Sequence, residues 1–176
     1  MLTISRIYLT GFMGSGKSTL GPGLATALDY AFVDLDEYIE QRAGQTIQEI
    51  FEQQSEQKFR KLEAEALAAS FDWTNTVIAL GGGALAMEED MESALRKGLV
   101  IYLYASEETM NERAQQSGKM RPLFRQGDQV KALLTARENV YRRAHIVFST
   151  EGISITQASE GLLAAVESSR QSNRRG

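Results

Sequence analysis

Nine residues near the amino terminus, Gly11-Phe-Met-Gly-Ser-Gly-Lys17-Ser18-Thr19, constrain this chain more than any other feature. They fit the pattern G-x-x-x-x-G-K-[ST], follow an apolar stretch that reads as a strand, and open a segment of helical spacing, the setting that gives the pattern meaning. Glycines let consecutive backbone N–H groups curl around an anion, and the amino end of the next helix adds partial positive charge. Gly14, Ser15, Gly16, Lys17, Ser18 and Thr19 are therefore the expected phosphate cradle. Lys17 is placed to bridge the β- and γ-phosphates of ATP or GTP, and the Ser18 hydroxyl to take a position on Mg²⁺.

The 176 residues suit a single domain, here read as 1–176. A composition 43% hydrophobic and 24% charged with two prolines excludes disordered and fibrous classes. The chain has no cysteine, which removes disulfides, thiolate metal sites and a thiol nucleophile together and fits a reducing, cytoplasmic setting. Its longest apolar run, 99–105, is too short to span a bilayer, and 1–9 reads as a first strand rather than a secretory leader. Net charge is −4 but uneven: the first 110 residues carry 8 basic against 17 acidic side chains, and residues 111–143 carry 8 against 3. A basic segment within an acidic protein points to a local small-anion site rather than to nucleic acid.

Apolar β-rich runs at 4–9, 31–34, 77–80, 99–104 and 146–148 alternate with helical stretches, the signature of βαβ units around a parallel sheet. Thr46 with Glu49 forms a capping box, Ser106 with Thr109 marks another helix start, and a final helix is expected over 156–169 with a frayed Arg-rich end. Met87 and Met91 share helical spacing and are expected in the core. Between these elements, about 114–127, lies an aperiodic segment with glycine, proline and basic residues that reads as an exposed lid.

Three further groups bear on chemistry. The second strand ends in Asp34-Leu35-Asp36, and in an extended segment residues two apart share a face, so both carboxylates can enter one crevice. One then assists the metal while the other meets an acceptor hydroxyl; two acidic helix-start residues exploiting the dipole is the alternative. Arg60 and Glu63 are i,i+3 neighbours on a helix, either an oriented guanidinium or an exposed pair worth about 0.2–0.5 kcal/mol. Gly81, Gly82 and Gly83 follow the third strand, where ligands approach backbone closely, or form a plain turn. No Asn-Lys-x-Asp string for reading guanine is present. His145, the only histidine, has no partner pattern for a metal or a nucleophilic triad and reads as structural.

Taken in order, the phosphate loop, Asp34-Leu-Asp36, Phe59-Arg60-x-x-Glu63, the glycine triplet, Arg121-Pro122-Leu123, and Arg137 four residues before Tyr141 resemble the shikimate kinases over nearly the whole chain. The resemblance implies a three-layer α/β/α P-loop kinase fold: a five-stranded parallel sheet of order 2-3-1-4-5 with a mobile lid. It implies a monomer with ATP and Mg²⁺ as cofactors and shikimate as substrate, with neither nucleic acid nor membrane as partner. The reaction implied is phosphorylation of the 3-hydroxyl of shikimate.

Residue by residue, the resemblance makes Lys17, Asp36 and Arg121 catalytic and Ser18 and Asp34 metal-binding. Arg113 and Arg121 join the nucleotide site, Arg113 by stacking on adenine or else as a helix-surface charge. Asp36, Arg60, Gly81, Gly82, Gly83 and Arg137 then receive shikimate within a region of about 34–62 and the loops facing it. The chain departs from the family at Ser55-Glu56, commonly Gly-Glu, and at Arg137-Glu-Asn-Val-Tyr141, which lacks the usual proline. A kinase of another small hydroxylated acid such as gluconate, or a nucleotide-binding regulatory module without transferase activity, are the rival readings.

Overall fold

Successive side chains along the first strand, β1 (Arg6–Thr10), point to opposite sides of the sheet. Ile7 and Leu9 enter one apolar cluster and Tyr8 another, so both faces of this strand are buried. That is the condition of a parallel strand covered by helices on each side. In the computed structural model, which describes residues 4–116 and 127–175, β1 lies between β3 (Thr76–Ala79) and β4 (Leu99–Tyr104). With β2 (Ala31–Asp34) and β5 (Ile146–Ser149) at the edges, the parallel sheet has the expected order β2-β3-β1-β4-β5.

Helices α1 (Lys17–Leu28) and α8 (Ile155–Arg175) cover the Ile7 and Leu9 face with Leu20, Leu24, Leu162 and Val166. The opposite face receives Ile39 from α2 (Leu35–Ala43), Ile50 from α3 (Ile47–Gln53) and Leu67 from α4 (Glu56–Ser70). It also receives Met91 from α5 (Glu88–Lys97), Met110 from α6 (Glu107–Gln116) and Tyr141 from α7 (Gly127–Tyr141). Thus β1 departs over one face through α1 and β3 over the other through α5, which opens a crevice at the carboxyl edge between them. Register aligns the loops around it, because Leu9 and Asp34 both pair with Ala79. Among the described residues no helix is long and apolar enough to cross a membrane.

The capping box at Thr46 and Glu49 is present in both directions, with the Glu49 N–H donating to Thr46 Oγ1 and the Thr46 N–H to Glu49 Oε2. Two expectations need correction. The last helix continues to Arg175 rather than fraying after Ser169. Arg170 explains this: its guanidinium donates to the Tyr30 hydroxyl at 2.7 Å and stacks on that ring at 5.1 Å, fastening the added turn to the body. Met87 is 67% exposed while Met91 is fully buried. Met87 is the extended residue before α5, so helical spacing does not apply to it.

His145 accepts a hydrogen bond at Nδ1 from the Val100 N–H of β4, 3.1 Å away. Protonation at Nδ1 removes the acceptor, and partial burial lowers the imidazole pKa below its ordinary value of 6.5. The unfolded chain therefore binds the proton first, so this contribution is complete above about pH 6.5 and is lost as the pH falls through the lower folded value. Melting curves between pH 7.5 and 5 are expected to show a steeper decline for the wild type than for His145→Gln, by on the order of 1–2 °C. Parallel curves would deny His145 this role.

Candidate active site

The phosphate loop joins β1 to α1 through backbone that favours glycine. Gly16, the residue before α1, sits at φ 106° and offers no side-chain cap, so the helix start is left to be satisfied by something else. At Gly11 (φ 143°) a side chain would meet the Leu103 carbonyl oxygen at 2.6 Å. The Thr19 and Leu20 N–H groups bond back to Gly16 O, whereas those of Lys17 and Ser18 donate to no acceptor among the described residues. An anion at this helix end would meet both donors and the dipole.

The Lys17 ammonium donates to the carbonyls of Gly11 and Phe12 at 2.6 and 3.0 Å, folded back over its own loop. Burial lowers its pKa to about 8, with Asp36 and Asp34 pulling it back up. Ser18 Oγ donates to Asp34 Oδ2 at 2.9 Å, while Asp34 Oδ1 accepts the N–H of Asp36 at 3.0 Å and so caps α2. The two readings of this acidic pair therefore coexist: Asp34 is a helix cap and also faces the phosphate loop. Strand alternation is not what brings the pair together, since Asp36 already belongs to the first turn of α2. A hydroxyl and a carboxylate oxygen side by side are hard donors suited to Mg²⁺, an ion that takes few protein ligands and keeps several waters.

Across the crevice, Arg60 of α4 donates from Nη1 to Glu63 Oε2 at 2.7 Å and from Nη2 to Glu56 Oε1 at 3.2 Å. Glu63 is only 4% exposed, which rules out a simple surface pair. Burial raises the Glu63 pKa against the opposing pull of Arg60, and the guanidinium in turn is held in one orientation. The glycine triplet lies against these charges. A β-carbon on Gly81 would come within 2.6 Å of Asp36 Oδ1 and 3.1 Å of Glu63 Oε1, and one on Gly83 would collide with Arg60 Nη1. Asp36, Arg60 and Glu63 thus converge on bare backbone, which has room for them because Gly81 and Gly83 carry no side chain.

Arg137 lies in an unbroken helix, the continuation that the missing proline permits. Its Nη1 reaches Gly82 O at 3.5 Å, and its buried Nε has no partner among the described residues. Arg113 is neither a solvated charge nor free: it donates to Gly14 O at 3.1 Å, to Thr150 Oγ1 at 3.0 Å and to Thr150 O at 2.8 Å. It therefore ties the phosphate loop to the turn after β5. Arg121 and the centre of the expected lid, 117–126, lie outside the described residues. Thr150 as the anchor of Arg113 was not legible in the sequence, since no local signal joins residues so far apart. Nor was the hydrogen bond from the Tyr141 hydroxyl to Gly82 O, although the i,i+4 spacing of Arg137 and Tyr141 places them on one helical face.

Comparison with known proteins bears on this constellation. A family model described as shikimate kinase matches residues 13–167. The shikimate kinase of Thermus thermophilus is 41% identical over 160 residues, covering 89% of this chain and 87% of that protein. The shikimate kinase of Geobacter sulfurreducens is 43% identical over 152 residues, covering 85% and 83% respectively. Among solved structures, the shikimate kinase from Acinetobacter baumannii in complex with shikimate is similar with a TM-score of 0.84 at 33% identity, covering 95% of each chain.

Proposed function

The chain belongs to the shikimate kinase family, and from that premise we propose how its residues divide the work of the reaction. The reaction is ATP-dependent phosphorylation of the 3-hydroxyl of shikimate, giving shikimate 3-phosphate on the way to chorismate and the aromatic amino acids. Phosphoryl transfer asks little covalent chemistry of a protein and depends on positioning and on charge stabilisation.

The Lys17 and Ser18 amides at the positive end of α1, together with the Lys17 ammonium, receive the β- and γ-phosphates, and Gly14, Ser15, Gly16 and Thr19 complete the cradle. Ser18 and Asp34, already side by side, would hold Mg²⁺, which would neutralise charge on the phosphate oxygens. Arg113, fixed beside Gly14, meets the adenine. Asp36 orients the acceptor hydroxyl and takes its proton as the new O–P bond forms and the bond from the γ-phosphorus to the β,γ-bridging oxygen breaks, releasing ADP. Arg60, steadied by Glu63, and Arg137 receive the carboxylate of shikimate, with Gly81, Gly82 and Gly83 beneath the ring. Arg121 supplies positive charge to the transferring group from the lid. The whole chain serves as one kinase domain, with an acceptor region at about 34–62 and a lid at about 114–127, acting as a cytoplasmic monomer.

The observation carrying this reading is the convergence of Asp36, Arg60 and Glu63 on the glycine backbone beside the phosphate loop. A coupled ADP-release assay over shikimate, quinate, gluconate and nucleoside monophosphates tests it. Shikimate is expected to support the fastest turnover, and a faster rate with gluconate or a nucleotide would sink it. Arg60→Lys keeps the charge but loses the planar fork, so KM for shikimate is expected to rise about tenfold with kcat little changed. An unaltered KM would return Arg60 to the surface.

A further inference from the structure

Tyr141 closes α7, and none of the roles above uses it. The residue is completely buried, yet its phenol O–H donates to the carbonyl of Gly82, the middle residue of the triplet. Arg137, one turn earlier, reaches the same oxygen only at 3.5 Å, beyond the range of a good N–H···O bond. Tyr141 is therefore the main partner of that carbonyl. In a trans peptide a carbonyl and the following N–H share a plane and point in opposite directions, and no peptide among the described residues is cis. Anchoring the Gly82 oxygen to α7 thus turns the Gly83 N–H away from α7, and among the described residues this N–H donates to no acceptor. Glycines have no side chain to restrict their own dihedrals, so the orientation of the triplet has to be imposed by a neighbour.

The same ring has a second contact. Phe12 of the phosphate loop packs against it with centroids 5.3 Å apart at 62°, and the Phe12 carbonyl accepts from Lys17 Nζ. One side chain therefore touches both the loop that cradles the donor phosphates and the loop beneath the acceptor. We propose that Tyr141 is a positioning residue for the acceptor, holding the Gly82 carbonyl so that the Gly83 N–H is presented to an oxygen of the bound hydroxylated acid. The proposal rests on the residue assignments under Proposed function. Burial raises the phenol pKa to about 12, which keeps the O–H a donor throughout the pH range of an assay.

Tyr141→Phe deletes the hydroxyl and keeps the ring against Phe12 and Tyr102. The expected result is a shikimate KM raised about tenfold, the scale of one hydrogen bond, with KM for ATP within about twofold of the wild type. An unchanged shikimate KM, or equal increases in both KM values, would overturn the proposal. In wild-type protein the Gly83 backbone amide resonance is expected to shift on adding shikimate; a stationary resonance would overturn it independently of how well the variant folds. Failure of the wild type to phosphorylate shikimate would strike the underlying assignment and this proposal together, whereas failure confined to the Tyr141→Phe constants or the Gly83 resonance strikes the proposal alone.

Discussion

Lys17→Met is expected to lower kcat by about 10³-fold or more, the scale of losing a preorganised charge at the transferring group, about 4 kcal/mol of barrier. Methionine retains the length and apolar packing of the stem, so the loss falls on the ammonium. That ammonium rests on the carbonyls of Gly11 and Phe12, contacts that bound phosphate oxygens would replace. Burial brings its pKa down to about 8, so the free protein gives up this charge as the pH rises through that value. Phosphate anions favour the protonated form, and wild-type ATP affinity is expected to decline above about pH 8. Calorimetry of ATP binding at pH 7 and pH 9 would show the decline in the wild type and its absence in Lys17→Met. Near-normal turnover of the variant would remove the phosphate loop from the mechanism.

Asp36→Asn is expected to separate acceptor activation from nucleotide binding if Asp36 has the role proposed for it. The amide fills the same space beside Gly81, where a carboxylate oxygen lies close to the backbone, but it cannot take a proton. A loss of about 10²–10⁴-fold in kcat is expected, the usual range for a positioned general base, while ATP affinity stays near that of the wild type. The substitution also removes a negative neighbour whose field raises the Glu63 pKa, so the Arg60–Glu63 pair should persist. Stopped assays at saturating shikimate, with nucleotide binding measured in parallel, distinguish the two effects. Unchanged turnover would exclude Asp36 as base or orienter.

The parts of this protein legible from sequence are those encoded by neighbouring residues. The phosphate loop is one contiguous pattern, β4 is a continuous apolar run buried on both faces, and the Thr46–Glu49 box is a reciprocal bond three residues long. Asp34 and Asp36 were legible as a pair but not in their geometry, because whether the chain stays extended or enters a helix at Leu35 depends on the cap that Asp34 itself provides. Features made by distant residues were not legible. Arg113 meets Gly14 and Thr150, Tyr141 meets Gly82, and Arg170 extends the last helix by gripping Tyr30; only the packing of helices and loops on the folded sheet brings these partners together. The burial of Glu63 belongs to the same class, since helical spacing pairs it with Arg60 but leaves open that α4 turns it toward the glycine triplet.

The nucleotide tail on the Lys17 side and the acceptor acid on the Asp36 and Arg60 side are proposed to share a single crevice at the carboxyl edge of the sheet. A crystal structure with shikimate and a non-hydrolysable ATP analogue tests it most directly. The expected result is the terminal phosphate on the amides of Lys17 and Ser18, the carboxylate of shikimate on Arg60 and Arg137, and its 3-hydroxyl within hydrogen-bond distance of Asp36. Shikimate bound away from Asp36, or phosphates lodged anywhere but the amino end of α1, would contradict it.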